Sequence, residues 1–215
     1  MSNPTSEHPA LRGARALLVD LDGTLVDSSQ PVHRAWTAFA DRHGLDGRRA
    51  FEFAQGRPSR ETVRLLAPAA DPVVEAELLE HAELTDTHGI VALPGAAALL
   101  RSGRRLAIVT LCSGALAGVR LEAAGLPRPE IVITSDMVEH GKPDPEPFLL
   151  AARKLHVAPH DSVAFEDAPT GIAAARAAGA RVVAVRTTHV DDDLAEADMV
   201  VDDLAALFTT HRGRG

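Results

Sequence analysis

The chain has 215 residues, more than one average domain of about 150 residues and fewer than two, which predicts one core with a sizeable insertion. Apolar residues make up 46% of the chain and charged residues 24%, as in ordinary globular proteins, so a wholly disordered chain is excluded. The net charge of −8 and the aromatic content of 3% disfavour a broad surface for nucleic acid or anionic membrane. An anionic ligand must therefore be bound by positive or polar groups at its own site and not by a broad charged surface.

Five short apolar runs predict the buried strands of a parallel sheet, because such strands are covered on both faces. Ala- and Leu-rich helical segments lie between them, and this alternation is typical of a doubly wound α/β fold. We therefore predict a three-layer, Rossmann-like α/β core. The predicted strands are residues 16–19, 106–109, 131–133, 162–165 and 182–185, and the predicted core helices are residues 95–101, 115–124, 146–154 and 170–178.

The segment between the first and second predicted strands has a different pattern. Its apolar residues recur at helical spacing, and it contains no convincing β run. We predict that residues 29–92 form a small all-helical domain, inserted into a core made of residues 1–28 and 93–215. The residues that carry the helical spacing are Val32, Trp36, Phe39, Ala40, Val63, Leu65 and Leu66.

The single cysteine, Cys112, can form neither an internal disulfide nor a cysteine-rich metal site, and we expect it to be a small buried hydrophobic residue. The first residues contain no apolar run behind a basic start, and no stretch approaches the length of a membrane span. We therefore expect a cytoplasmic protein that binds neither membranes nor nucleic acid.

Polar side chains follow four of the predicted strands, at the edge where open parallel α/β sheets bind ligands. Two carboxylates and a glycine follow the first strand, a hydroxyl follows the second, a lysine lies in the loop after the third, and two acids end the fourth. Each residue alone has an ordinary role in a turn or a helix cap, but together they place four carboxylates at one edge. In chain order they are Asp20, Asp22, Gly23, Thr110, Lys142, Glu166 and Asp167.

Carboxylates crowded in this way repel one another unless a cation lies among them. Oxygen donors favour Mg²⁺, a hard cation that keeps several waters and shares its coordination shell with phosphate oxygens. The sequence therefore predicts a magnesium site at this edge of the sheet.

Four segments, in this order, resemble the motifs of the haloacid dehalogenase-like hydrolase superfamily. They are DLDGT from Asp20, the strand end at Thr110, the GKPDPEPF segment that contains Lys142, and FEDAPTGIAAARAAG at residues 165–179. The resemblance spans residues 16–201, and the helical insertion matches the small cap of one subgroup. Within that subgroup the segments SQP, GRPSRETVRLLAP, LPGA and RPEIVITSDMVEHGKPDPEPF are most similar to sugar phosphatases, glycerol phosphatases and 2-deoxyglucose-6-phosphate phosphatases.

The resemblance implies a phosphomonoester hydrolase that acts on a small sugar or polyol phosphate, as a monomer or weak dimer. Asp20 is then the nucleophile that forms an aspartyl-phosphate. Asp22 protonates the leaving oxygen and later takes a proton from water. Thr110 and Lys142 bind the phosphoryl oxygens, and Gly23 lets the backbone approach the ligand.

The same resemblance implies how the magnesium ion is held. Its ligands are the carboxylates of Asp20 and Asp167 and the main-chain carbonyl of Asp22. Glu166 is either a further ligand or a partner through water.

The substrate-binding residues come from two places. In the insertion, the loop with Arg57, Ser59 and Arg60 is expected to set the leaving-group preference, with either arginine reaching substrate oxygens. In the second motif, Leu111 and Cys112 replace the usual Ser or Asn and the following Gly, ahead of Ser113. We expect Leu111 to offer phosphate only its main-chain N–H, which lowers phosphate affinity.

Two alternatives remain open at this point. A sugar phosphomutase of the same fold is disfavoured because such enzymes carry a histidine in the slot of Val32. A receiver-type phospho-aspartate signalling domain also gathers acids, a threonine and a lysine around magnesium, but it predicts no cap and no acid at Asp22. Two other activities of the superfamily are disfavoured. A dehalogenase needs no second aspartate, whereas Asp22 is present here, and a phosphonate hydrolase needs a cap lysine that residues 29–92 lack.

Overall fold

The computed structural model describes residues 8–208, so the two ends of the predicted core, residues 1–7 and 209–215, lie outside the described part. In that part no helix is both long enough and apolar enough to cross a membrane. The helices and strands, in chain order, are β1 (Ala16–Val19), β2 (Val26–Asp27), α1 (Ser29–His43), α2 (Gly47–Ala54), α3 (Ser59–Leu66), α4 (Pro72–Thr85), β3 (Val91–Ala92), α5 (Ala96–Leu100), β4 (Leu106–Val109), α6 (Gly114–Ala123), β5 (Ile131–Ile133), α7 (Glu146–Lys154), β6 (Ser162–Glu166), α8 (Pro169–Ala178), β7 (Arg181–Val185) and β8 (Met199–Val201).

Six of the strands form one parallel sheet in the order β5-β4-β1-β6-β7-β8. Strand β1 lies between β4 and β6, with Leu18 paired to Ala107 on one side and to Ala164 on the other. Every residue of β1 is buried, as a strand covered on both faces requires. The predicted α/β core with a parallel sheet is therefore confirmed.

Helices cover both faces of this sheet. Successive side chains of a strand point to opposite faces, so β1 contributes to two apolar clusters. Leu17 and Val19 pack with residues of α5 and α6, whereas Ala16 and Leu18 pack with residues of α7 and α8. The result is the predicted three-layer arrangement, with the carboxyl ends of the strands at one edge.

Three strands were not anticipated. The chain adds β8 at the edge of the main sheet, and β2 pairs with β3 in a separate antiparallel sheet, with Val26 opposite Ala92. Strand β3 lies inside residues 29–92, which were predicted to be all-helical. Strands of two residues, as β2 and β3 are, carry too few side chains for a pattern of period two to be recognised.

Helices α1–α4, which we call the helical insertion, have an apolar cluster of their own. In it the rings of Trp36 and Phe39 meet edge to face, with centroids 5.2 Å apart. Helix α2 begins after Asp46, whose side chain accepts a hydrogen bond from the N–H of Arg49, as N-cap residues do. Leu65, which the spacing placed on the apolar face, is 58% exposed, so that part of the prediction is wrong. The three apolar residues 63, 65 and 66 cannot all face one side of a helix, because 3.6 residues make a turn.

We predict that Leu18→Ala lowers the free energy of unfolding by about 3 kcal/mol, because it leaves a cavity between the central strand and α7 and α8. The same substitution at the exposed Leu65 is the matched control and should cost about 0.5 kcal/mol or less. Urea denaturation of both variants measures the difference. Equal losses would contradict the layer assignment.

Candidate active site

The sheet order brings three strand ends together. Strands β4, β1 and β6 are neighbours, so Thr110, Asp20 and Glu166 lie side by side at the carboxyl edge. The N–H of Asp20 continues the ladder to the carbonyl of Phe165 at 3.0 Å. This backbone bond fixes the position of the aspartate at the point where the sheet stops.

A turn after β1 brings the chain close to Asp167. Gly23 has a φ of +81°, and its N–H donates to the carbonyl of Val26 at 2.8 Å. A Cβ atom at Gly23 would overlap the carboxylate of Asp167. Only glycine allows both this backbone conformation and this close approach.

Lys142 is the cation at the centre of the site. Its Nζ lies 2.5 Å from Oδ1 of Asp20 and 2.5 Å from Oε1 of Glu166, and it donates to the carbonyl of Val109 at 2.9 Å. The residue is only 3% exposed. Burial alone would lower the pKa of Lys142, but the two carboxylates outweigh burial and raise it, so the side chain is an ammonium ion.

Three carboxylates meet around this lysine. Oxygens of Asp20, Glu166 and Asp167 lie within 4.8 Å of one another, and all three residues are buried. Burial raises the pKa of each carboxyl group, that of Asp167 to about 7, and the charge of Lys142 counteracts the rise without cancelling it. One ammonium group does not neutralise three carboxylates, and an all-oxygen donor set fits a hard divalent cation.

Asp22 lies outside this cluster and has its own partners. Its Oδ1 accepts a hydrogen bond from the hydroxyl of Ser28 at 2.6 Å. Its Oδ2 lies 2.5 Å from Nη1 of Arg120 and 3.0 Å from Sγ of Cys112. The other guanidinium nitrogen, Nη2, is bonded to Oε2 of Glu83 in α4. Asp22 is therefore joined through one buried arginine to the helical insertion.

Sequence reasoning missed Arg120 and Glu83. Arg120 is 5% exposed and lies one turn after the buried Leu116 on α6, so its one available signal was a charged residue at a core position of an apolar helix. Burial raises the pKa of Glu83 to about 7, and Arg120 acts in the opposite direction.

The segment after β4 differs in detail from what the sequence suggested. Thr110 is buried, and its hydroxyl accepts a hydrogen bond from the N–H of Cys112 at 3.1 Å. Cys112 is half-buried and packs against the apolar core, as expected, but its Sγ also contacts Asp22 and Arg120, which the sequence did not indicate. Burial raises the pKa of its thiol.

The two neighbouring residues of that segment have structural contacts. The hydroxyl of Ser113 caps α6 by accepting the N–H of Leu116 at 3.2 Å. The side chain of Leu111 lies against Gly141, next to Lys142.

A cavity of about 800 Å³ opens between α3 and the loop that carries Lys142, and Arg60 and Arg64 line it together with that loop. Arg57 is not part of the cavity wall: its Nη1 donates to the carbonyl of Phe53 at 2.6 Å, and its guanidinium lies 4.1 Å from the centre of the Phe53 ring. Ser59 begins α3 and is not part of the cavity wall. Of the two arginines considered, Arg60 shares a cavity wall with Lys142 and Arg57 does not, while Asp20, Asp22 and Asp167 are not part of that wall.

Comparison with known proteins agrees with this geometry. The family model described as haloacid dehalogenase-like hydrolase matches residues 14–179. The chain is 41% identical to hexitol phosphatase A of Escherichia coli (strain K12), covering 94% of this chain and 96% of that protein. It is 37% identical to validoxylamine A 7'-phosphate phosphatase of Streptomyces hygroscopicus subsp. limoneus, covering 93% and 98%.

A solved structure, that of CbbY from Rhodobacter sphaeroides in complex with phosphate, superposes with a TM-score of 0.80. The sequence identity is 25%, and the match covers 90% of this chain and 96% of that one. The resemblance inferred from the four motifs is thus confirmed, and the chain belongs to the haloacid dehalogenase-like hydrolase family.

Proposed function

We propose that the protein is a magnesium-dependent phosphomonoester hydrolase that acts on small sugar or polyol phosphates through an aspartyl-phosphate. The observation that carries this proposal is the contact of Asp20 with the buried Lys142, beside two further carboxylates. The relatives named above as phosphatases support the reaction type, and the hexitol phosphatase supports a polyol or sugar phosphate as substrate.

Asp20 attacks the phosphorus, and the bond from phosphorus to the sugar oxygen breaks as the bond to the carboxylate forms. Lys142 favours the ionised form of Asp20, which is the form able to attack, and binds the phosphoryl oxygens as they approach. The hydroxyl of Thr110 lies at the end of the neighbouring strand and offers a further contact to phosphate.

Asp22 transfers protons in both halves of the reaction. As an acid it protonates the departing sugar oxygen, and as a carboxylate it then takes a proton from the water that attacks the aspartyl-phosphate. Its side chain is 28% exposed, so it is accessible to substrate and water, whereas the side chain of Asp20 is 10% exposed.

Asp20, Asp167 and the carbonyl of Asp22 would hold Mg²⁺, with Glu166 as a ligand or a partner through water. When bound, the ion offsets the excess negative charge and polarises the phosphoryl group. The donor set supports this assignment, because the buried carboxylates have raised pKa values that a divalent cation would bring down.

The helical insertion acts as a cap over this site, and residues 29–92 form the cap domain of the proposal. The hydroxyl of Thr170, at the start of α8, donates to the carbonyl of Gly56 at 3.0 Å, which ties the cap loop to the site edge. Arg60 lines the cavity next to Lys142 and is the cap residue proposed to bind substrate oxygens.

Asp20→Asn tests the nucleophile. We predict that phosphate release from hexitol phosphates, glycerol phosphate and 2-deoxyglucose 6-phosphate falls by about 1,000-fold or more, because an amide cannot form the acyl phosphate. Asp161→Asn, at a partly exposed aspartate paired with Arg15, is the control and should keep full activity. Undiminished release by the Asp20→Asn variant would rule out the proposal, and conversion of a hexose 1-phosphate to the 6-phosphate without release would favour the mutase.

Thermal unfolding with and without Mg²⁺ tests whether the carboxylate cluster binds this ion. Asp167 has a pKa of about 7 in the folded state against 3.8 as the reference value, so the metal-free fold binds more protons and loses stability as pH rises from about 4 to 7. We predict that saturating Mg²⁺ raises Tm by several degrees at pH 8 and by much less at pH 5, where protons compete. Asp167→Asn should abolish the difference. A Tm that is unaffected by Mg²⁺ at pH 8 would contradict the assignment.

A further inference from the structure

Asp22, Arg120 and Glu83 form a chain of ion pairs that runs from the site to α4, and phosphate binding does not explain it. Arg120 belongs to the α/β core, yet its two terminal nitrogens contact carboxylates in different parts of the molecule. Asp22 follows the central strand, and Glu83 belongs to the helical insertion. Arg120 and Glu83 are both at least nine-tenths buried, so solvent cannot replace either partner.

In the arrangement described, Asp22 is surrounded by donors. Ser28 donates a hydrogen bond to Oδ1, and Arg120 and Cys112 donate hydrogen bonds to Oδ2. Both lone pairs of Oδ2 are thus occupied by donors, and the contact with Arg120, which is one between opposite charges, is made by the carboxylate form. The proton transfer proposed above needs the carboxylic acid form of Asp22, and that form has no charge with which to hold the guanidinium.

Releasing Asp22 would leave a buried guanidinium without a counter-charge unless another anion were already in place. Removing one partner of a buried ion pair is strongly unfavourable for this reason. Glu83 supplies the second anion, because Oε2 is bonded to Nη2 while Asp22 is bonded to Nη1. The charge of Asp22 is one cause of the raised pKa of Glu83, so loss of that charge favours the ionised form of Glu83. The arginine therefore stays paired whether Asp22 faces it or faces the substrate.

We propose that Arg120 is a positioning residue for Asp22 and that Glu83, from the cap, is the counter-charge that lets Arg120 release it. This inference rests on the proposed function, in which Asp22 is the proton donor. It adds that the position of the cap helix α4 determines how firmly Asp22 is held. In the step concerned, Asp22 gives the proton that it took from water in the preceding turnover to the leaving oxygen, as the bond from phosphorus to that oxygen breaks and the phosphoryl group is transferred to Asp20.

The dependence of the reaction on leaving group separates this role from a merely structural one. An alkyl phosphate such as glycerol phosphate needs its leaving oxygen protonated, whereas p-nitrophenyl phosphate releases a stable phenolate without that proton. The parameter kcat/KM reports steps up to the first irreversible one, which excludes the later attack of water. We therefore compare kcat/KM for the two substrates in each variant.

Glu83→Gln leaves Asp22 as the charged partner of Arg120 and should lower kcat/KM for glycerol phosphate by about tenfold, with a change of about twofold or less for p-nitrophenyl phosphate. Arg120→Lys should show the same selective loss, because an ammonium group cannot bond two carboxylates through a fixed fork. Glu75→Gln is the matched control: Glu75 is a buried acid of the same helix, but its partner Arg42 belongs to the insertion. It should affect neither substrate selectively.

In an Arg120→Met background, Glu83→Gln should cause no further selective loss, since the two residues act through one contact. Thermal unfolding of each variant shows whether it is folded, and the Glu83→Gln comparison stands without the Arg120 variants. Equal losses with both substrates, or no loss with either, would overturn the inference. Asp22→Asn serves as a separate check: if it shows no preference between the substrates, the proton-donor role in the proposed function fails instead.

Discussion

The site depends on one buried ammonium group. Lys142 lies 2.5 Å from a carboxylate oxygen of Asp20 and 2.5 Å from one of Glu166, in a place from which water is almost excluded. Without it, three carboxylates would be buried at one strand edge with no positive charge among them, at a high cost in free energy. With it, the pKa values of the three carboxyl groups are still raised, and the divalent cation proposed above would favour the ionised form of all three.

Arg120, on helix α6, is a second buried cation with a similar arrangement of carboxylates. Arg120 holds Asp22 as Lys142 holds Asp20, so the two aspartates after β1 have separate positive partners. The difference lies in what else each cation contacts. Lys142 is bound to another core carboxylate, whereas Arg120 is bound to Glu83 of the helical insertion. In the proposed mechanism the nucleophile is thus held within the core, whereas the proton donor is linked through Arg120 to the helical insertion and can respond to its position.

The sequence predicts what is local and repeated. Runs of buried residues indicated β1, β4, β5, β6 and β7, and the rule that ligands bind at strand ends brought Asp20, Thr110 and Glu166 together. Pairs distant in sequence leave no such pattern: Arg120 and Glu83 are 37 residues apart, on separate helices. The choice between Arg57 and Arg60 is open for a different reason. Arg57 contacts the Phe53 ring four residues earlier, but the sequence does not show whether an arginine binds such a ring or an oxygen of the substrate.

Trapping the covalent intermediate tests the central claim most directly, namely that Asp20 carries the phosphoryl group. Borohydride reduces an acyl phosphate to an alcohol, so quenching the protein with borohydride during turnover of a sugar phosphate would convert the phosphorylated aspartate to homoserine. The account predicts that peptide mass spectrometry finds homoserine in place of Asp20, dependent on added substrate. Phosphate release with unmodified Asp20, or modification at Asp22 instead, would contradict it.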